Sequence, residues 1–172
     1  VEPELKKMYA KIMEWAAQAK KTEQYFLQNP WHCLINTEVN SHNFIVNEER
    51  GITYLVDWEK PILGEPAQDL SHFLIRTTTQ WKADYTLSAQ EEKYFLTEYL
   101  KGIEESSVKS TLVDRVEMFK PFIHLRAVSW CAMAWVEYTN PGRLLRNEDT
   151  FTKIKRYIEP NFLRQLFTNI KY

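Results

Sequence analysis

Glycine is nearly absent from this chain. Gly51, Gly64, Gly102 and Gly142 are spread over 172 residues with no two near neighbours, where average usage of about 7% would give roughly 12. The chain therefore holds neither G-x-G-x-x-G nor G-x-x-x-x-G-K-[ST], which excludes a dinucleotide-binding fingerprint and a P-loop. Any nucleotide bound here must have its phosphates held by something else.

The length suits one domain or a large piece of a bigger protein. Lys plus Arg is 22 and Asp plus Glu is 23, a balance that argues against a general nucleic-acid binder or a polybasic membrane binder. Six Trp, nine Tyr and nine Phe are too many large apolar side chains for a disordered segment. Cys33 and Cys131 have neither metal-type spacing nor a disulfide framework. The apolar runs are too short to span a bilayer, and no signal segment opens the chain. A soluble, reducing, cytoplasmic setting is expected. Val1 in place of Met points to processing or to a fragment.

Residues 2–27 read as an amphipathic helix, with Leu5, Met8, Tyr9, Ile12, Met13 and Ala16 at one-face spacing and Asn29-Pro30 ending it. Phe44-Ile45-Val46 and Ile52-Thr53-Tyr54-Leu55-Val56 are β-rich runs joined by Asn47–Gly51, which predicts a hairpin. Pro61, Gly64 and Pro66 mark a loop. A helix follows over Ala67 to about Thr79. Ser88 and Glu91 fit a capping box that opens a helix running to Gly102. A long helix is expected from about Leu112 to Tyr138, kinked or split at Pro121. Its stretch from Phe122 to Val136 is apolar nearly all round, which predicts central burial. A last helical region carries Phe151, Ile154 and Ile158, then Pro160, then Leu163, Leu166, Phe167 and Ile170. The expected class is α+β, mostly helical, with one inserted hairpin.

The chemistry concentrates in Asn36-Thr37-Glu38-Val39-Asn40-Ser41-His42-Asn43 and, across the hairpin, in Val56-Asp57-Trp58-Glu59. A hairpin centred near residues 49–50 sets Asn43 nearly opposite Val56. Asn43 and Asp57 then emerge at the same open end, with Glu38 on the loop that feeds it. Hard oxygen ligands of this kind suit Mg²⁺, which takes few protein ligands plus substrate phosphates. The bland reading stands beside it: an Asn opening a strand and an Asp closing one often bond only local backbone.

These residues, together with Leu63-Gly64-Glu65-Pro66-Ala67-Gln68-Asp69-Leu70, resemble the C-terminal lobe of the aminoglycoside phosphotransferase and choline kinase group, small-molecule relatives of the protein kinases. That pattern runs His-Gly-Asp-Leu-His-x-x-Asn, strand, turn, a strand ending Ile-Asp-Trp-Glu, then Gly-Asp-Pro-x-x-Asp-Leu. The resemblance covers essentially the whole chain. It implies the mainly helical C-lobe of a kinase-like phosphotransferase with a catalytic hairpin: residues 1–30 follow the interlobe hinge, 31–66 carry the catalytic loop and metal-binding hairpin, and 67–172 form the helical C-lobe. It further implies ATP and Mg²⁺ as cofactors and a small-molecule hydroxyl as acceptor, with neither nucleic acid nor membrane as partner. Asp57 and Asn43 match the metal ligands that also bind ATP through its phosphates. Glu38 matches the catalytic Asp that faces the acceptor hydroxyl, and Asp69 matches a structural Asp that ties a helix start to the catalytic loop.

Three departures qualify the match. Asn36-Thr37-Glu38 stands where the group has His-Gly-Asp, and glutamate's extra methylene moves the carboxylate by about 1–1.5 Å, where a misplacement of about 1 Å can cost on the order of 10²-fold in rate. Asn40 stands where a His is frequent. Upstream of Asn36 only a helix is read, so the ATP-covering N-terminal lobe, with its phosphate loop and strand Lys, is expected outside these residues. The rival readings are a non-catalytic kinase-like binding module and a helical scaffold without a site. Trp130, Ala134 and Tyr138, with Trp135 beside them, share one predicted helix side and could face a cationic substrate; core packing is their plainer role. Glu137, Glu148 and Asp149 could meet an ammonium or simply be solvated. His32, His42, His72 and His124 show no ligand spacing, although His42 adjoins Asn43.

Overall fold

The computed structural model of the chain describes residues 3–106, 108–142, 145 and 147–170. Val1 and Glu2, and with Glu2 the first residue of the predicted 2–27 helix, lie outside the described residues. The fold is α+β and mostly helical, with two small antiparallel sheets. Helix α1 (Pro3–Ala19) passes through a 3₁₀ turn at Lys20–Thr22 into α2 (Glu23–Gln28). Strand β1 (Cys33–Ile35), a 3₁₀ turn at Ser41–Asn43, and strands β2 (Phe44–Asn47), β3 (Ile52–Leu55) and β4 (Ile62–Gly64) follow. Helices α3 (Pro66–Leu74), α4 (Arg76–Ala83), α5 (Ala89–Lys101), α6 (Leu112–Tyr138), α7 (Glu148–Tyr157) and α8 (Pro160–Leu166) complete the chain. Among the described residues no helix is long and apolar enough to cross a membrane.

The hairpin β2–β3 has the expected register, with Phe44 opposite Leu55 and Asn47 opposite Ile52. Gly51 takes φ +62° in its loop, a conformation that costs glycine nothing. The second sheet is absent from the sequence reading: β4 is not loop but pairs antiparallel with β1, Cys33 opposite Gly64 and Ile35 opposite Ile62. A methyl group on Gly64 would meet Ile35 Cδ1 at 2.7 Å, so the Ile35 side chain would have to shift to admit one. Three residues on each strand leave too little alternation to read.

The helical expectations need three corrections. The 2–27 helix is interrupted at Lys20–Thr22, and the helix predicted over 67–79 is two helices that meet at Ile75, whose ψ of 147° is extended. Helix α6 runs unbroken through Pro121, but its second half is not centrally buried. Ile123, Val128, Cys131 and Ala134 are buried, while Trp130, Met133 and Val136 lie exposed. Hydrophobicity all round a helix does not supply partners on every side. The capping box is present: Glu91 N–H donates to Ser88 Oγ and Ser88 N–H donates to Glu91 Oε2 at 2.8 Å.

The chain divides into two compact units, residues 24–123 and the described residues of 1–23 with 124–172. In the first, Ala67, Leu70 and Leu74 of α3 pack with Leu96 of α5 and with Leu112 and Val116 of α6. Phe73 continues this core, stacking on Phe95 at 5.1 Å and meeting Phe44 at the hairpin base edge-on at 5.5 Å. Ser71 Oγ donates to the Val116 carbonyl at 2.9 Å. Fully buried Arg115 pairs with Glu65 Oε2 at 2.7 Å, donates to the Asn29 carbonyl at 2.6 Å and lies over the rings of Tyr25 and Phe26. Helix α3 is thus fixed at its start, its middle and its apolar face.

The second unit packs Met8 and Ile12 of α1 against Val128 of α6, Leu163 of α8 and Phe167. Tyr9 donates its hydroxyl to the Val128 carbonyl at 2.9 Å. An Arg164–Glu4 ion pair links α8 to the first turn of α1.

Candidate active site

The loop from Asn36 to Asn43 is built on three buried asparagines, each turned onto main chain. Asn36 Nδ2 donates to the Asp57 carbonyl at 2.8 Å, and its Oδ1 accepts from Glu38 N–H at 3.2 Å. Asn40 Oδ1 accepts from His42 N–H at 3.0 Å and caps the 3₁₀ turn, while its Nδ2 donates to the Glu38 carbonyl at 2.8 Å. Asn43 Nδ2 reaches the same carbonyl at 3.4 Å. Side chains of this type bond neighbouring backbone readily, so the bland role predicted for such asparagines is realised on both sides of Asn36 and Asn40 and on the donor side of Asn43.

The acceptor side of Asn43 is different. Among the described residues, Asn43 Oδ1 and the exposed Asp57 carboxylate accept no hydrogen bond. Val56 N–H donates to the Asn43 carbonyl at 2.8 Å, so Asn43 makes one rung at the hairpin base and Asp57 follows its partner in the chain. The Asn43–Val56 pairing is the one that the hairpin register predicts. Asp57 adopts φ +64°, a left-handed turn that Asp tolerates better than most residues.

Helix α3 holds the loop from below. Asp69 accepts from the N–H of Asn36 at 2.6 Å and of Thr37 at 2.8 Å, one oxygen to each. On the far side of Glu38, His72 Nδ1 lies 2.8 Å from the Val39 carbonyl. Thr37, between these supports, sits at φ +75°, a strained position for a β-branched residue. Its hydroxyl also donates to the Lys60 carbonyl at 3.3 Å.

Glu38 is exposed at the head of this loop. The Lys60 ammonium, ion-paired with Glu59 at 2.9 Å, is held above its ordinary range by Glu59 first and then by the Glu38 and Asp57 carboxylates. Glu38 and Asp57 therefore share one electrostatic neighbourhood at the open end of the hairpin. Among the described residues no group of three His, Cys, Asp or Glu converges to hold a metal ion. An amide oxygen and a carboxylate left uncommitted still fit Mg²⁺, whose protein ligands are few and hard.

Trp130, Glu137 and Tyr138 belong to the unit of residues 1–23 and 124–172. There Trp130 and Glu137 are exposed, Tyr138 stacks on Phe151 at 5.6 Å, and neighbouring Ala134 is buried, so the predicted shared helix side is split between solvent and core. Glu148 and Asp149 are exposed in the first turn of α7, where acidic residues complement the helix dipole. The Cys33 thiol is pushed up, chiefly by burial and then by Asp69 and Glu65. Burial pushes the Cys131 thiol up to about 12, so neither cysteine is poised as a nucleophile.

The sequence reading includes Asn36 in the loop without giving it a role, and it misses His72 as a member of this arrangement. An Asn two residues before Glu38 is the signature of an Asx turn, and three-residue spacing sets Asp69 and His72 on one helix face. Both signals were present but weak on their own. No family model, no curated protein and no solved structure matches this chain.

Proposed function

We propose that this chain is the C-terminal lobe of a kinase-like phosphotransferase that moves the γ-phosphoryl group of ATP, with Mg²⁺, to the hydroxyl of a small molecule. One observation carries the reading: two uncommitted oxygen donors, on Asn43 and on Asp57 one residue beyond its rung partner, stand at the base of a hairpin whose feeding loop presents Glu38. Asn43 and Asp57 would hold the cation. Glu38 faces the acceptor, orients its hydroxyl and takes its proton. Mg²⁺, when bound, neutralises charge on the phosphate oxygens, which together with positioning is most of what such a transfer requires. The reading calls for a further lobe carrying the loop that covers the phosphates. Lys60, close to both carboxylates, moderates their repulsion.

The test is Mg²⁺-dependent ADP release by the full-length protein with aminoglycoside, choline-like, ketosamine and homoserine-like acceptors. Turnover is expected to vanish in Asp57→Ala and to fall by about 10²-fold or more in Glu38→Gln, the range of general-base contributions. Turnover that survives Asp57→Ala overturns the metal assignment. Mg²⁺-dependent ATP binding without turnover favours a non-catalytic kinase-like module.

A further inference from the structure

The loop that presents Glu38 is held on both shoulders by one helix. Ahead of Glu38, the Asp69 carboxylate takes the N–H groups of Asn36 and Thr37. Behind it, His72 meets the Val39 carbonyl at 2.8 Å through Nδ1. Both side chains come from α3, three residues apart and so on one face.

We infer that His72 is a positioning residue for the acceptor-facing carboxylate: by donating Nδ1–H to Val39 it fixes the direction in which Glu38 leaves the loop. The inference rests on the reading of Glu38 as the group that faces the acceptor. A carbonyl oxygen only accepts, so the ring carries its proton on Nδ1 in this contact. The helix beneath is a firm template, tied to α6 by Ser71 and Val116, anchored at its start by Glu65 and Arg115, and packed through Phe73 against the hairpin. The loop above it is under tension at Thr37, whose left-handed backbone persists only where the surroundings over-determine it. Asp69 alone holds one shoulder of such a loop. With His72 the loop is held on both, and the Cα of Glu38 is fixed between them.

The chemistry of the contact makes it separable from bulk. An Asn side chain places its amide nitrogen where His carries Nδ1 and can donate the same bond, whereas Leu fills similar space and cannot. In the full-length protein, with Mg²⁺, ATP and an acceptor it turns over, His72→Leu is expected to lower kcat by about 10-fold or more while KM for ATP moves by less than about threefold. His72→Asn is expected to restore kcat to within about threefold of the unsubstituted protein, because it restores the donor. Without nucleotide, deuterium exchange over residues 36–43 should quicken in His72→Leu and return to the original rate in His72→Asn. Unchanged exchange and kcat in His72→Leu, or a His72→Asn protein as impaired as His72→Leu, overturns the inference. Absence of turnover in the unsubstituted protein overturns the phosphotransferase reading and the role of His72 with it. Turnover that His72→Leu leaves unchanged overturns the role of His72 alone.

Discussion

Asn36 is 1% exposed and spends both ends of its amide on backbone. Its donor goes to the Asp57 carbonyl and its acceptor to Glu38 N–H, so one side chain joins the loop that presents the acceptor-facing carboxylate to the turn that presents the metal-facing one. Truncation would remove two partly buried bonds, each worth about 0.5–1.5 kcal/mol net. Asn36→Ala is therefore expected to lower unfolding stability by about 1–3 kcal/mol, read by urea denaturation. The loss should be accompanied by faster exchange at Glu38 N–H, and a loss below about 0.5 kcal/mol would place these bonds in competition with water. The residue was visible in the sequence only as a departure from His in the resembled pattern. Its bridging role depends on Asp57, 21 residues away, whose backbone turns through a left-handed conformation. No local pattern encodes that meeting, which is why the loop residues were legible and their connection was not.

At the scale of elements, the same contrast separates local from distant signals. The register of β2–β3, the span of α6 and the Ser88–Glu91 cap follow from residues within a few positions of each other, and all three are as the sequence predicts. The β1–β4 pair joins three residues to three others across the hairpin, and the α3–α4 break falls at Ile75 with neither Gly nor Pro to announce it. The Glu65–Arg115 anchor between the start of α3 and α6 joins residues 50 positions apart, with three α-helices between them, and was not foreseen. Burial pushes the Glu65 carboxyl above its ordinary 4.5 despite the opposing pull of Arg115, and Glu65 Oε1 is buried without a hydrogen-bond partner among the described residues. Breaking such a pair from one side is costly because the remaining charge has nowhere to go. Arg115→Met should destabilise by about 3–5 kcal/mol, and Glu65→Leu with Arg115→Met by distinctly less. The sign with pH is fixed by the direction of the shift. A carboxyl raised in the folded state is most compatible with folding below its ordinary value, so the Arg115→Met penalty should shrink as pH falls from 7 toward 4.5. A penalty that is equal at both pH values would mean that Glu65 is hydrated once Arg115 is gone.

For the molecule as a whole, formal charge is close to balanced at −1, so self-repulsion is small near neutrality and the alkaline limit of stability falls to buried groups. Cys131 is 1% exposed, and burial moves its thiol from an ordinary 9.0 to about 12. The neighbouring Tyr9 hydroxyl is raised as well, by burial first and by Cys131 second. An acid whose proton is held more tightly in the folded state stabilises fully below its unfolded value, and that stabilisation drains away as pH climbs from 9 toward 12. Between pH 8.5 and 10.5 the linkage amounts to about 2 kcal/mol for this one group. Cys131→Ala removes the titration and leaves the other alkaline groups in place. Its absolute stability will be lower, since Cys131 packs in the face of α6 that Val128 and Ala134 also bury. The informative quantity is the difference in slope. The unsubstituted protein should lose about 2 kcal/mol more than Cys131→Ala over that pH interval in matched urea titrations. Iodoacetamide should likewise leave Cys131 unmodified in the native protein at pH 8.5 and alkylate it on unfolding, as thiolate reactivity requires. Equal slopes, or alkylation of the native protein at the rate of an exposed thiol, would mean that the α6 face around Cys131 opens to water well before the molecule unfolds.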